Sequence, residues 1–557
     1  MVTGTKTVKP NMEERAKSSE QSEPGKRLQF RQILPQVLAT TAESSMMLSF
    51  GMLLAFPSVL ISVLTNELNP EKLRLTLEQA SWYGGLSFIF QPPGCILSGA
   101  ILQTFGCKKL MILINLPVFA GWMLTYYAKS VFDLYISSAL FGFVLGLMEV
   151  PTVRYIGEIA HPSLRSILTT YSLCFLSLGY VVVYSLASLT DWRHIALIMS
   201  SVPIICTFAL LWLPETPMWL MSKGHPKEAL RSLQWLRGRI SNKEVEEEFN
   251  KLEIYAKKKK RSQGFLGYRQ ILDDLREEDE GEKQSLLLSR SKDYGADAIN
   301  EDESADRIQN IPVDGETELD EYFDESSLSE KWREVIRRET LIPMSKGVLL
   351  FTTYCLCGIF PMGPYVLKIY DELKLPVDAD KLSAFQAMIN LCNCFLFMLI
   401  IQRVGKKQLL LVCSSLAILW LLLLSLFIHG LLTDLNNVGT YDTVIGWITL
   451  MLFVFHSSCL SFGVRSIIWI YVSEILPFKG RGVATGIIVS YFYLIIFIGV
   501  KFYPTLQQEF NLDGTLFLFA IAAIPCVIAV HFFIPETEGR FLADIESEIT
   551  QKTREKN

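Results

Sequence analysis

Apolar residues fill this chain in long blocks separated by short polar stretches. A helix that crosses about 30 Å of hydrocarbon at 1.5 Å per residue needs roughly 20 mostly apolar residues. Twelve blocks meet that length: 36–64, 80–103, 109–128, 131–153, 165–189, 193–213, 346–370, 383–402, 407–430, 444–472, 482–501 and 515–534. Several contain Gly, Pro or Ser, which membrane helices tolerate better than soluble ones do. Twelve in series predict an all-α membrane protein of twelve transmembrane helices rather than buried helices of a soluble core.

Charge supports this reading and adds an orientation. Of the 557 residues 20% are charged, below the roughly 25% of ordinary soluble chains, and about two thirds of them lie in 1–35, 222–346 and 536–557. That distribution argues against a soluble enzyme, and a net charge of −5 leaves no basic footprint for nucleic acid. Lys108 and Lys109 follow the second span, Arg403, Lys406 and Lys407 the eighth, and Lys479 and Arg481 the tenth; the loop after the ninth has neither Lys nor Arg. The bias puts both termini and the central loop in the cytoplasm. The polar first 30 residues offer no cleavable signal, and the plasma membrane is the expected location. Of 11 cysteines all but Cys107 sit in apolar blocks, as small packing residues do. The six histidines are scattered, and there is no Walker loop or Gly-x-Ser-x-Gly elbow, so no enzyme, cofactor or metal is expected.

Three patterns occur twice in the same order. Gly106-Cys-Lys108-Lys109 returns as Gly405-Lys406-Lys407. Tyr155-x-x-Glu158-Ile159, followed by Pro162 and Arg165, returns as Tyr471-x-x-Glu474-Ile475, followed by Pro477 and Arg481. Pro214-Glu215-Thr216 returns as Pro535-Glu536-Thr537. The register implies a duplicated six-span unit, a plan on which some transporters are built. The expected organisation is a cytoplasmic N-terminal tail (1–35), a six-helix half (36–221), a cytoplasmic linker (222–345), a second six-helix half (346–535) and a cytoplasmic C-terminal tail (536–557).

Taken together, Tyr155–Arg165, Trp192-Arg193, Pro214–Trp219, Tyr471–Gly482 and Pro535–Arg540 resemble the signatures of the sugar porter family of the major facilitator superfamily, and within it the facilitated trehalose transporter-like branch. The resemblance covers both halves. It implies a major facilitator fold and transport of a hexose, trehalose-like sugar or similar small solute by alternating access. It also implies gating pairs Glu158/Arg165 and Glu474/Arg481 at the cytoplasmic helix ends, aided by Glu215 and Glu536. The family's Asp and Arg after the second span correspond here to Gln103 and Thr104, and Met218 replaces an Arg.

The family's sugar-binding amides are mostly replaced. The span 5 Gln corresponds to Leu173, the span 7 amides to Tyr354, Cys355 and Phe360, and the span 11 Asn-Trp to Phe492-Tyr493. Asn390 on span 8 and Trp469 on span 10 are retained, and Tyr354, Tyr365 and Tyr493 add phenols. Leu53 stands where proton-coupled members carry an acid, which favours downhill uniport. Arg465 is unusual for span 10; a charge within a span faces a cavity or a partner, so it is expected either to bind an anionic group or to pair with Glu149. The alternatives are a non-transporting solute sensor or scaffold, and a carrier of a less polar or anionic solute.

The linker opens with amphipathic stretches carrying Leu230, Leu233, Leu236, Phe249 and Ile254, then a polybasic Lys257–Arg261 suited to lipid headgroups. Residues 273–327 hold 20 acidic residues, a composition of disorder. Glu282, Leu286 and Leu287 fit an acidic dileucine sorting signal.

Overall fold

The computed structural model describes residues 30–66, 72–161, 164–238, 245, 248–250, 338–373, 375, 377–401, 404–434, 443–476 and 481–536. Twelve helical spans run through them. In the first half they are α1 (Phe30–Thr65), α2 (Leu77–Phe105), α3 (Cys107–Tyr127), α4 (Val131–Ile159), α5 (Arg165–Ala187) and α6, broken at Ser200 into Trp192–Met199 and Ser201–Leu211. In the second half α7 is Arg338–Leu356 followed, across a bend of 47°, by short helices to Glu372. Gly358, at φ 89°, makes that bend in a conformation other residues avoid. Then come α8 (Ala379–Ile400), α9 (Lys406–Asp434) and α10, whose Thr443–Cys459 and Arg465–Ile475 are joined by a π turn at Leu460–Val464. The run Arg481–Phe533 contains the last two spans, α11 (481–510) and α12 (512–533), divided at Asn511 (φ 58°). Hydropathy locates all twelve blocks, but α1 begins six residues earlier than expected and the polar turn between α11 and α12 is almost wholly helical.

Below, the end of the bundle holding Phe30 and Arg338 is called inner and the opposite end outer. Thr76 with Gln79 and Ser130 with Asp133 form capping boxes at the outer starts of α2 and α4, satisfying amides that have no partner within the helix. Lateral packing depends on close backbone approach. A methyl group at Gly142 or Gly146 on α4 would overlap the carbonyls of Ser87 or Gln91 on α2, and one at Gly51 on α1 that of Leu176 on α5. Small residues at such contacts let membrane helices gain dispersion where no hydrophobic drive exists.

The repeated patterns meet at the inner end. Glu215 Oε1 accepts a hydrogen bond from the amide of Lys108 (3.2 Å), at the start of α3, and one from the amide of its neighbour Thr216 (3.1 Å). Glu536 does the same for the Lys407 amide (3.2 Å) at the start of α9. Each carboxylate reaches a helix N-terminus from across its own half, where amides and dipole both favour an anion. Gly106 and Gly405 leave room: a Cβ there would lie 2.7 Å and 3.1 Å from the two Glu Oε2 atoms. Burial pushes the Glu215 carboxyl above the usual carboxylate range, and the Lys108 and Thr216 amides oppose that push.

Two short helices, Pro217–Ser222 and Pro226–Leu236, lie under the first half. Arg237 fastens them, donating to the Ile159 carbonyl at the end of α4 (3.0 Å) and to both Glu248 oxygens (2.6 and 3.0 Å). Leu233 and Leu236 are buried and Phe249 packs near Leu220 and Ala229. Ile254, Lys257–Arg261, the acidic segment and Glu282, Leu286 and Leu287 lie outside the described residues.

Candidate functional site

A cavity of about 2100 Å³ lies between the halves, lined by α1, α2, α4 and α5 from one and α7, α8, α10 and α11 from the other. Its inner mouth reaches Arg154, Arg165, Ile401 and Lys406 at the helix ends, and Arg165 there is exposed. Its outer extremity stops at Tyr370, Ser383 and Phe453, which are 2%, 1% and 4% exposed. Beyond them the halves touch. Ser62 donates to Asp371 (2.9 Å), Lys501 to Ser81 (2.8 Å) and the Leu367 amide to Ser58 (3.3 Å), while Trp82 packs on Phe497. The structure is therefore open at the inner end and closed at the outer.

The wall at mid-depth is largely aromatic. Phe492 stacks on Phe351 (4.3 Å between centroids) and meets Tyr354, Phe360 and Trp469 at 5.2–6.2 Å. Asn390 Oδ1 accepts from Ser461 (2.9 Å) and Ser457 (3.3 Å). The Arg465 guanidinium donates to Ser177 (3.0 Å) and Cys394 (2.9 Å), so it bridges α10 to α5 and α8, while its Nε is buried without a partner. Among the described residues no cluster of three or more His, Cys, Asp and Glu side chains could hold a metal ion.

The sequence profile of the Major Facilitator Superfamily matches residues 44–500. The chain belongs to the major facilitator superfamily. Curated relatives include two proteins named facilitated trehalose transporter Tret1. That of Bombyx mori is 27% identical over 93% of this chain and 88% of the relative, and that of Apis mellifera ligustica 26% identical over 92% and 87%. The fold resembles that of the xylose transporter XylE from E. coli in a partially occluded inward-open conformation (TM-score 0.64, 16% identity, 91% of this chain, 99% of that one). It also resembles the proton:xylose symporter XylE bound to 6-bromo-6-deoxy-D-glucose (TM-score 0.61, 17% identity, 92% and 98%).

Within this superfamily fold, Asn390, Trp469, Arg465, Tyr354, Phe360, Leu173 and Tyr493 all come to the one cavity. Tyr365 does not. It is buried between α7 and α11, donating to the Val500 carbonyl (3.0 Å) and stacking on Tyr503 (5.0 Å). The expected Arg465–Glu149 pair is also absent. Glu149 Oε2 instead accepts from Tyr493 (2.9 Å) on α11 and Cys95 (3.2 Å) on α2, making a bond between the halves, while Arg465 reaches α5 and α8. At the inner end Glu158 is paired with Arg154 one turn back on α4 (2.6 Å), not with Arg165, which stands exposed at the mouth. A carboxylate with an Arg at i−4 on its own helix needs no second element, so it keeps that partner when the inner end is open. The side chains of Glu474 and Arg481 lie outside the described residues.

Sequence reasoning overlooked Gln91, Ser383, Gln386 and His456, which also line the cavity. A signal was there: Ser383, Gln386 and Asn390 recur at intervals of three and four in an otherwise apolar block, the mark of one polar helix face.

Proposed function

We propose that this superfamily member is a facilitative sugar carrier working by alternating access, seen here facing inward. The observation that supports it best is the cavity, open to one side, sealed by contacts between the halves at the other, and lined at mid-depth by an aromatic wall beside the Asn390 amide. An aromatic face suits the apolar side of a sugar ring, and amide and hydroxyl groups suit its edge. The names of the Tret1 relatives point the same way. Buried Leu53 supports uniport, since it leaves no acid where the family resemblance places the proton-coupling group. The nearest acid along α1, Glu43, is buried against Ser172 and Ser44 and does not line the cavity.

In this reading the inner end is cytoplasmic, the location is the plasma membrane, and Glu158, Arg165, Glu474, Arg481, Glu215 and Glu536 work the inner gate. Asn390, Trp469, Arg465, Tyr354, Phe360, Leu173 and Tyr493 form the sugar site. Residues 222–345 are a cytoplasmic linker whose Glu282, Leu286 and Leu287 engage sorting machinery. The test is counterflow of labelled glucose and trehalose by the purified full chain in proteoliposomes, with and without a proton gradient. Saturable flux indifferent to the gradient is expected; no saturable flux of any sugar overturns the proposal.

A further inference from the structure

Two charged residues that line the cavity occupy equivalent places in the internal repeat. Tyr155 and Arg165 return 316 positions later as Tyr471 and Arg481, and Gly106 returns 299 positions later as Gly405. By the same offsets Glu149 on α4 corresponds to Arg465 on α10, Ser177 on α5 to Tyr493 on α11, and Cys95 on α2 to Cys394 on α8. The structure joins these six residues into two triads of one design. Glu149 Oε2 accepts from Cys95 of its own half (3.2 Å) and from Tyr493 of the other (2.9 Å). Arg465 Nη2 donates to Cys394 of its own half (2.9 Å) and to Ser177 of the other (3.0 Å). An acid on the wall of one half is thus matched by a base on the wall of the other. Each stands six residues before its repeated tyrosine, about 9 Å along a regular helix, so the two lie at equal depth.

Each triad fixes one atom of its charged residue and leaves another open. Both residues are partly exposed and both line the cavity. Among the described residues Glu149 Oε1 and Arg465 Nη1 make no hydrogen bond, and Arg465 Nε is buried without one. What remains unmet is an acceptor on one wall and a donor on the other, in surroundings where an unmet polar group is costly. A neutral polyol meets both, because one hydroxyl can donate to the carboxyl while another accepts from the guanidinium. An apolar solute meets neither. The placement also suits a carrier, since a solute biases two arrangements of the halves only through contacts that differ between them, and here the contacts come from both halves.

We infer that Glu149 and Arg465 are two poles of the substrate site, related by the repeat: Glu149 accepts from one sugar hydroxyl, Arg465 donates to a different one, and the flanking Cys95/Tyr493 and Cys394/Ser177 pairs aim them. This rests on the sugar-carrier reading and adds to it the carboxyl by which the first half recognises the solute.

The experiment is counterflow of labelled glucose by the purified full chain in proteoliposomes, for wild type, Glu149→Met and Arg465→Met. Unlabelled deoxyglucoses, each lacking one hydroxyl, compete in every case. Loss of a hydrogen bond to a charged group should raise the glucose KM about tenfold or more in each variant, while the maximal rate moves less than about threefold. One deoxyglucose should bind about tenfold more weakly than glucose to wild type and within about twofold of it to Glu149→Met, because the group that met the missing hydroxyl is gone. Arg465→Met should level a different deoxyglucose in the same way. If a methionine variant does not fold, Glu149→Gln and Arg465→Lys carry the same comparison, with a rise of about threefold or more. Analogue-to-glucose ratios that keep their wild-type values in both variants would overturn the inference and leave the sugar-carrier reading standing, since the triads then only hold the halves together. Levelling of one and the same analogue by both variants overturns it too. Wild type that shows neither flux nor thermal stabilisation with any sugar overturns both.

Discussion

A tryptophan at Gly84 should hold the outer end open. Gly84 is where α2 meets α1, α7 and α11: a Cβ built there lies 3.1 Å from Pro364 Cβ and 3.3 Å from both Ile61 Cδ1 and Val500 Cγ1. Even a methyl group must displace its neighbours, and an indole has no room while Pro364 and Val500 of the second half remain in place. Overpacking a well-filled site costs about 1–3 kcal/mol. The share of that cost set by Pro364 and Val500 falls only on the state in which the halves touch at the outer end. At about 1.4 kcal/mol per factor of ten, the inward-open population should drop roughly five- to 150-fold relative to the outward-open one. Cys95 reports this directly, because it lines the cavity and is reached from the inner mouth. Its alkylation by a membrane-impermeant maleimide applied from the inner side, read peptide by peptide in a mass spectrometer, should slow, by at most the factor that the population ratio shifts, because the rate follows the inward-open fraction. Sugar flux should fall with it, because the carrier can no longer cycle. Gly84→Ala should show the same trend more weakly. Wild-type Cys95 labelling together with wild-type flux, in a Gly84→Trp protein that folds normally, would refute both the inward-open assignment and the role of this contact in closure.

Arg465 and Glu149 have different partners, so the flux losses of Arg465→Gln and Glu149→Gln should add within about 0.5 kcal/mol in a double-mutant cycle; recovery in the double variant would restore the pairing this structure lacks. Glu215→Ala and Glu536→Ala should each lower the thermal midpoint, with a cost of about 1–2 kcal/mol for a lost helix cap, and unchanged melting in both would show the caps to be ornamental. Gly142→Val should abolish monodisperse protein in size-exclusion chromatography, because its side chain would overlap the Ser87 backbone on α2; a well-behaved variant would mean that α2 and α4 can separate at little cost.

Hydropathy is a local property, and the lipid demands it of every span, so the twelve blocks, the duplication and the polar linker could be read from residues alone. The same holds for caps and turns written in adjacent residues, such as Thr76 with Gln79. The repeated Gly-Lys-Lys and Pro-Glu-Thr patterns were visible as repeats, but not that each carboxylate caps a helix that begins over a hundred residues away in the chain. Tertiary structure alone decided which side of each span faces the cavity. An apolar span has no solvated face to set its rotation, so its polar residues give a short list of candidates without a direction. Tyr365 turns into packing, while Ser383, Gln386 and His456 turn inward. The π turn at Leu460–Val464 rotates Arg465 relative to the outer part of α10, a shift that spacing counted at 3.6 residues per turn does not include. Glu149 bonds with Tyr493, 344 positions away and in the other half, and that choice depends on how the two halves are docked. Glu158 shows the same dependence at its simplest: the family resemblance implies Arg165 as its partner, and the structure pairs it with Arg154 on its own helix.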